Sequence, residues 1–218
     1  MAHTRADGRR ERWRDHRQTR RVELMAAVIA AVPVLGPRPG LDDIAAHSGI
    51  AKPVFYRYFA DKADLYLAVG RTVAETVVTE ITDAINREAT PDAMLAAGID
   101  AYLSRVEEGP ELYRFVAHPP IEGAGDPLTS YATVVGLHVS RVIGDFLRAG
   151  GLDSGAAEPW GFGLVGMVRA AAERWLEHPT MSRQALSASL SQLAWSGLGQ
   201  VVEQAGGGNI RALRAHEG

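Results

Sequence analysis

The sequence predicts an all-α protein, with a small three-helix domain near the N-terminus and a larger helical bundle after it. Apolar residues recur mostly at helical spacing, and few runs alternate with the period of two that strands require. Ala, Leu, Val, Arg and Glu dominate the composition. Gly and Pro cluster at the stops between the periodic segments. At 218 residues and 46% hydrophobic, the chain is long enough to bury one large core or two modest ones.

Cofactor and metal chemistry find little support in the sequence. There is no cysteine, which excludes disulfides and thiolate chemistry, and the seven histidines are scattered without a zinc-ligand spacing. An Arg-rich start followed by an apolar run at 24–35 resembles a signal peptide, but acids interrupt the basic part and no small-residue cleavage site follows. The run is also too short to span a membrane. We therefore expect a core helix in a cytoplasmic protein that binds no cofactor, metal or membrane.

Charge is distributed unevenly along the chain. Residues 1–62 carry twelve Lys and Arg against seven Asp and Glu, a net charge of +5. The rest of the chain carries 11 basic and 19 acidic residues, a net charge of −8. A basic first third on an acidic body indicates a polyanionic partner at one end only.

The first elements are a basic arm and a core helix. Residues 1–16 lack an apolar face, which predicts a disordered arm. The arm is either a solvated tail or a segment that lies along DNA, and the sequence favours neither. The first helix should cover about 17–31, with Pro33 ending it.

Residues 41–64 (LDDIAAHSGIAKPVFYRYFADKAD) predict two short helices, a tight turn between them and the start of a third helix. Leu41, Ile44 and Ala45 form one helical face, and Gly49 supplies the left-handed conformation of a helix C-terminus. Pro53 suits the first turn of the second helix. Two helices joined so closely form a helix-turn-helix, which we place in a DNA-binding domain at 17–62.

The second of these helices has an apolar inner face and a polar outer face. Val54, Phe55 and Phe59 form the inner face, which leaves Lys52, Tyr56 and Arg57 outside. Cationic and phenolic groups suit phosphates and the base edges of a major groove. The only two lysines of the chain, Lys52 and Lys62, both lie in this stretch.

A long connector helix then begins after Asp61, its predicted N-cap. Further helices are predicted at about 91–108, 110–117, 128–149, 156–177 and 182–205, with a loop at 118–126 and a flexible tail at 206–218. Residues 63–205 form a predicted ligand-binding and dimerisation domain. Interior glycines in the helix at 156–177 indicate close backbone approach, because each lowers helix stability by about 1 kcal/mol relative to Ala.

The last two long helices are the most apolar pair. One interpretation is ordinary core, and the other is a four-helix dimer interface formed with the same pair of a second copy. The candidate dimerisation residues are Trp160, Gly163, Leu186, Leu190, Leu193, Trp195 and Leu198.

Residues 17–70 resemble the tetracycline-repressor (TetR) family of bacterial transcription regulators. The resemblance depends on DDIAAHSGIAKPVFYRYFADKADLY, above all on the aromatic run at 55–59 followed by Lys62. It implies a homodimer that binds a palindromic double-stranded DNA operator, usually as a repressor, and releases it when a small molecule fills a pocket in the C-terminal domain.

The resemblance also implies roles for single residues. Tyr56 and Lys62 match phosphate-contacting positions, Lys52 lies near phosphate or base, and Pro53 and Arg57 lie where side chains reach bases. Tyr58 is either a further contact or a core residue. The chain departs from the family pattern at two helix caps, where Gly40 and Ala51 replace the usual hydroxyl residues.

The effector site is predicted within the helices at 91–177, and few interior charges there favour a largely apolar effector such as a lipid or an acyl thioester. Aromatic residues at helical spacing are also common in cores. The candidates are Tyr102, Tyr113, Phe115, Tyr131, Phe146, Phe162 and Met167, with His118, Glu173 and Arg174 to orient a polar group.

Two other functions compete with a regulator. An enzyme is disfavoured, because no nucleophile–base set, phosphate loop or metal constellation occurs in the sequence. A ligand-binding or scaffold protein without operator binding is the second alternative. Lys52, Tyr56, Arg57 and Lys62 argue against this alternative, since a helix-turn-helix domain that no longer binds DNA has no need of them.

Overall fold

The computed structural model of the protein describes residues 3–117 and 127–204, with side chains at 16–117, 132–197 and 199. Throughout these residues the chain forms helices and no strand, which confirms the predicted all-α class. The helices are α1 (His3–Leu35), α2 (Leu41–Ser48), α3 (Lys52–Tyr58), α4 (Lys62–Asn86), α5 (Pro91–Glu108), α6 (Pro110–Ala117), α7 (Pro127–Ala149), α8 (Ala157–Glu177) and α9 (Arg183–Gln204).

Helix α1 is longer at both ends than the sequence predicts. It begins at His3, where we expected a disordered arm through residue 16. Arg, Glu and Ala are strong helix formers, and extending an existing helix avoids the unfavourable nucleation step. At the other end the helix continues through Pro33 to Leu35, because a proline so close to the terminus removes only one hydrogen bond.

The apolar run of α1 is a core segment, as predicted. Leu24, Val28 and Val32 are completely buried. No helix among the described residues is long and apolar enough to cross a membrane.

The chain divides into two compact units. Residues Met1–Val73 and Glu111–Pro127 form the first, and residues Ala74–Pro110 and Leu128–Gly218 form the second. The expected boundary after residue 62 therefore falls inside the first unit, because Leu65, Tyr66 and Val69 of α4 are buried there. Helix α4 is the continuous connector between the two units that the sequence predicts.

Helices α1, α2 and α3 pack together in the first unit. Gly49 ends α2 with a φ of 67°, the left-handed conformation expected of it. Pro53 lies in the first turn of α3, and Asp61 caps α4 by accepting a hydrogen bond of 2.8 Å from the Asp64 backbone N–H. Local sequence signals therefore determine the helix-turn-helix.

In the second unit α5 packs mainly against α9. Ile99 and Leu103 of α5 are buried, as are Leu186 and Leu190 of α9. At the start of α9, the Arg183 guanidinium donates to Glu107 at 3.0 Å and also to the carboxylate of Asp100.

Helices α7 and α8 approach closely at Gly161. A Cβ atom on Gly161 would lie 2.7 Å from the backbone N of Ser140 and 2.9 Å from the carbonyl O of Gly136. The predicted close approach is thus confirmed at Gly161. Gly163 and Gly166, by contrast, have open space where a Cβ would lie. The predicted tail at 206–218 and the loop at 118–126 lie outside the described residues.

Candidate nucleic-acid interface

Helix α3 presents its polar side chains outward over a buried aromatic base. Phe55 and Phe59 are 1% and 2% exposed, whereas Tyr56 is 50% exposed. Pro53 and Arg57 are also exposed. The predicted outer face of this helix is therefore available to a partner, and its inner face holds it on the first unit.

The N-terminus of α3 has no side-chain cap. Ala51 takes the capping position with extended backbone, and its carbonyl accepts a hydrogen bond of 2.8 Å from the Val54 N–H. At the start of α2, Gly40 lacks a side chain to cap with, and its N–H donates to the Asp43 carboxylate at 3.1 Å. The N–H groups at the start of α3 are left without a hydroxyl acceptor from the cap residue.

Lys52 is held by an acid of the preceding helix. Its ammonium lies 2.8 Å from Oδ1 and 2.9 Å from Oδ2 of Asp42, in the first turn of α2. The hydrogen bond to Asp42 raises the pKa of Lys52 above its ordinary value, so the ammonium stays charged at neutral pH. Sequence reasoning missed this pair, because the two residues meet only after the turn between α2 and α3 has formed.

Tyr58 and the end of α3 are held by an arginine of α1. The Arg21 guanidinium donates to the Tyr58 carbonyl at 2.9 Å and lies 4.3 Å from the centre of the Phe59 ring. It also forms an ion pair of 3.1 Å with Asp64. The Tyr58 ring is half-buried, with the Arg57 guanidinium 5.6 Å from its centre. The half-buried Tyr58 ring therefore fits neither a fully exposed DNA contact nor a fully buried core residue. The sequence did not predict the role of Arg21.

Lys62 lies in the first turn of α4, next to the end of α3. Its ammonium is 5.0 Å from the centre of the Tyr66 ring, a cation–π distance. The Asp64 carboxylate accepts a hydrogen bond of 3.0 Å from the Ala60 N–H, which fixes the turn before Lys62. The short turn between α3 and α4 therefore fixes the position of Lys62.

Tyr66 connects α4 to the chain that enters α2. It is almost fully buried, and its hydroxyl donates to the carbonyl of Pro39, directly before the Gly40 cap. Its ring lies 5.0 Å from the ring of Phe115 in α6. Burial, and then the negative charge of Asp43, raise the pKa of Tyr66 to about 12. No signal in the sequence distinguished Tyr66 from an ordinary core aromatic.

Comparison with known proteins identifies this arrangement. The family described as bacterial regulatory proteins, tetR family, matches residues 38–69, and the tetracyclin repressor-like C-terminal domain matches residues 80–210. An HTH-type transcriptional regulator of Mycobacterium tuberculosis is 32% identical over 209 residues, 95% of this chain and 88% of the relative. The chain belongs to the TetR family. It is a DNA-binding transcriptional regulator, as the resemblance of residues 17–70 implied.

Further relatives of this TetR-family chain cover most of its length. The HTH-type transcriptional activator FasR of Mycolicibacterium smegmatis is 29% identical over 208 residues, 90% of each chain. The crystal structure of FadR from Bacillus subtilis in complex with stearoyl-CoA has a TM-score of 0.67 at 16% identity, covering 81% of this chain and 98% of that one. A second FadR, from Bacillus halodurans, has a TM-score of 0.67 at 15% identity, covering 82% and 95%. These two structures share the fold.

The predicted effector residues do not gather in one unit. Tyr113 and Phe115 of α6 are buried in the first unit, where Phe115 packs on Tyr66. Four others are half-buried in the second unit, namely Tyr102, Phe146, Phe162 and Met167. The ring of Phe162 lies where a side chain on Gly136 would project. His118 and the Tyr131 side chain lie outside the described residues.

Arg174, one of the residues predicted to orient an effector, lies at the surface of the second unit. Its side chain is mostly exposed at the end of α8, with Nη1 2.6 Å from Nδ1 of His178 and 3.6 Å from the Glu177 carboxylate. A polar side chain near a helix terminus reaches solvent easily, and this one faces away from the interior of its unit. Its role in orienting a polar group of an effector stays a prediction.

The candidate dimerisation residues divide into buried and accessible positions. Leu186 and Leu190 are buried in the core of the second unit. Leu193 is 62% exposed, Gly163 is open, and Trp160 and Trp195 are half-buried. The side chain of Leu198 lies outside the described residues. The outward positions of α8 and α9 are therefore the accessible candidates for the predicted interface.

Proposed function

We propose that this TetR-family regulator binds a palindromic operator as a homodimer, represses from it, and is released by a largely apolar effector. The observation that carries the proposal is the outer face of α3, where Tyr56 and Arg57 stand exposed over the buried ring of Phe55. A rigid helix with an exposed cationic and phenolic face suits a major groove.

On this proposal the exposed residues divide into two roles. Tyr56 and Lys62 contact phosphates and fix the register of the head on the duplex. Lys52 lies near phosphate or base, Pro53 and Arg57 lie near base edges, and Tyr58 contributes where its half-buried ring reaches the backbone. Ala51 stands at the helix cap where the family pattern has a hydroxyl residue. The chain therefore lacks one hydroxyl donor that could contact a phosphate.

A homodimer follows from the symmetry that a palindrome requires. Two copies related by a dyad place their α3 helices in successive major grooves, about 34–36 Å apart. The outward residues of α8 and α9 form the proposed interface: Trp160, Gly163, Leu193 and Trp195.

The proposed effector binds among the half-buried aromatic and Met side chains of the second unit. Among acyl compounds, a long-chain acyl-CoA is the first to test, because FadR from Bacillus subtilis, of the same fold, was solved with stearoyl-CoA. Effector binding changes operator affinity only if it favours one state of the head. Helix α4, which passes from one unit to the other at Val73, is the proposed carrier of that change.

DNA binding is tested with an operator selected from random duplexes by the protein itself. Lys52→Ala combined with Tyr56→Phe should weaken operator binding by more than about tenfold and flatten the salt dependence, since both groups contact DNA. Arg87→Ala, which removes an exposed cation of the second unit, is the matched control and should bind like the wild type. Unchanged affinity in the double variant would show that the α3 face is not the DNA site.

The effector and the sign of regulation need separate measurements. Stearoyl-CoA should release the wild-type protein from the selected operator, while free CoA should not, because the acyl chain provides the apolar area. A reporter placed behind the operator should fall when the protein is expressed. A rise would instead indicate an activator, the function that the relative FasR is named for. Retained operator binding at all acyl-CoA concentrations would exclude this effector class.

A further inference from the structure

The first turn of α2 and the first turn of α3 are joined by one ion pair at the surface. The Lys52 ammonium contacts both carboxylate oxygens of Asp42, at 2.8 and 2.9 Å. The Lys52 side chain is 41% exposed and that of Asp42 is 78% exposed, so both groups are open to solvent and to a partner. Among the described residues, neither side chain forms a hydrogen bond to a buried polar atom.

In the proposed mode of DNA binding, this pair lies where a DNA phosphate would approach. Lys52 begins α3, the helix whose outer face carries the proposed DNA contacts, and its ammonium offers three donors to anionic oxygens. A carboxylate and a phosphate present the same kind of acceptor to an ammonium. An acid already bound to Lys52 therefore competes with the phosphate for the same protons.

We propose that Asp42 acts as an intramolecular substitute for a DNA phosphate on Lys52, which DNA must displace, so that Asp42 lowers operator affinity and its salt dependence. The inference rests on the proposed DNA contact of Lys52. It adds Asp42 as a residue that opposes DNA binding and reduces the electrostatic contribution of Lys52 to operator affinity.

The competition has a defined effect on the salt dependence. A lysine that meets a phosphate releases about one counterion from DNA, which steepens the fall of affinity with salt. When Lys52 leaves Asp42, however, the freed carboxylate attracts a cation from solution, which partly cancels that release. Without Asp42 the logarithmic salt slope should become steeper by up to about one.

The expected gain in affinity is modest, because ion pairs exposed to solvent contribute little. Asp42→Asn, which keeps the shape and removes the charge, should tighten operator binding about twofold to fivefold at low salt. The gain should shrink as salt rises, since screening weakens the ion pair in the wild-type protein.

The experiment measures operator affinity from low to high salt for the wild type, Asp42→Asn, Lys52→Gln and the double variant. Glu23→Gln is the matched control, because it also removes one negative charge of the first unit and frees an arginine, Arg20, from an exposed ion pair of 2.5 Å. The selected operator and an unrelated duplex of equal length are the two probes. Thermal melting of each variant verifies that the protein is folded.

The proposal expects Asp42→Asn to tighten binding and steepen the slope when Lys52 is present and to have little effect in the Lys52→Gln background. An equal gain in both backgrounds would mean that Asp42 repels DNA directly, and an equal gain from Glu23→Gln would mean a general charge effect. Either result, or unchanged affinity, overturns the inference. Failure of the wild type to bind the operator would instead overturn the proposed function.

Discussion

At the scale of single residues, Arg21 shows how contacts distant in sequence position the recognition helix. Its guanidinium reaches the last carbonyl of α3, the Phe59 ring and the Asp64 carboxylate in the first turn of α4. The Tyr58 carbonyl and the Asp64 carboxylate lie 37 and 43 residues away along the chain. The Arg21 side chain is partly buried, whereas that of its neighbour Arg20 is more exposed and pairs only with Glu23 in the contacts described.

Arg21→Gln should weaken operator binding about tenfold without changing the logarithmic salt slope, because Arg21 positions the end of α3 and we expect it to make no phosphate contact of its own. Arg20→Gln, one residue earlier on the same helix, should change affinity much less. Fluorescence anisotropy on the selected operator, at several salt concentrations, measures both quantities. A slope reduced by about one in Arg21→Gln would indicate a direct phosphate contact instead.

Residue-level prediction succeeded where the signal was local and failed where it was not. Gly49, Pro53 and Asp61 each have a conformational or capping role that neighbouring residues reveal. The pairing of Lys52 with Asp42, and of Tyr66 with Pro39, depends on how separate elements meet. In the sequence, Lys52 and Asp42 are indistinguishable from ordinary surface charges, and Tyr66 is indistinguishable from an ordinary core aromatic residue.

At the scale of elements, α8 shows two kinds of interior glycine. Gly161 faces the backbone of α7 and leaves no room for a methyl group, while Gly166 on the same helix is exposed with open space around it. The sequence could predict that the helix needs close packing somewhere. It could not predict which glycine makes the close contact, because the sequence of one helix does not show which of its faces packs against a neighbouring helix.

Gly161→Ala should lower the free energy of unfolding by about 1–3 kcal/mol, because the added methyl forces α7 and α8 apart. Gly166→Ala should leave stability unchanged or raise it by up to about 1 kcal/mol through better helix propensity. Urea unfolding of the two variants beside the wild type makes the comparison. If Gly161→Ala proved as stable as Gly166→Ala, the close approach of α7 and α8 would be wrong.

At the scale of the whole molecule, the outward face of α9 carries Leu193 without cover from its own unit. A single exposed apolar side chain is common on protein surfaces, so the proposed role of Leu193 depends on its position on α9. The sequence suggested α8 and α9 for this role by their apolar composition. The structure assigns part of that composition to the core, through Leu186 and Leu190.

In the proposed homodimer, Leu193→Glu should shift the protein from dimer to monomer and reduce operator affinity by more than about tenfold, because a charge in an apolar interface is strongly unfavourable and operator binding would use both copies. Met181→Glu, at another exposed apolar side chain between α8 and α9, is the matched control. Sedimentation velocity gives the oligomeric state. Dimers of equal stability in both variants would place the interface elsewhere.

The contact between Phe115 and Tyr66 also bears on how the chain matures. Because the first unit combines residues up to Val73 with the segment from Glu111, this contact can form only after the chain between them has been synthesised. A fragment that ends at Val73 leaves the Tyr66 ring without its aromatic neighbour. The compact unit that carries the recognition helix is therefore discontinuous in sequence, and a transplanted segment keeps the Tyr66–Phe115 contact only when both pieces are moved.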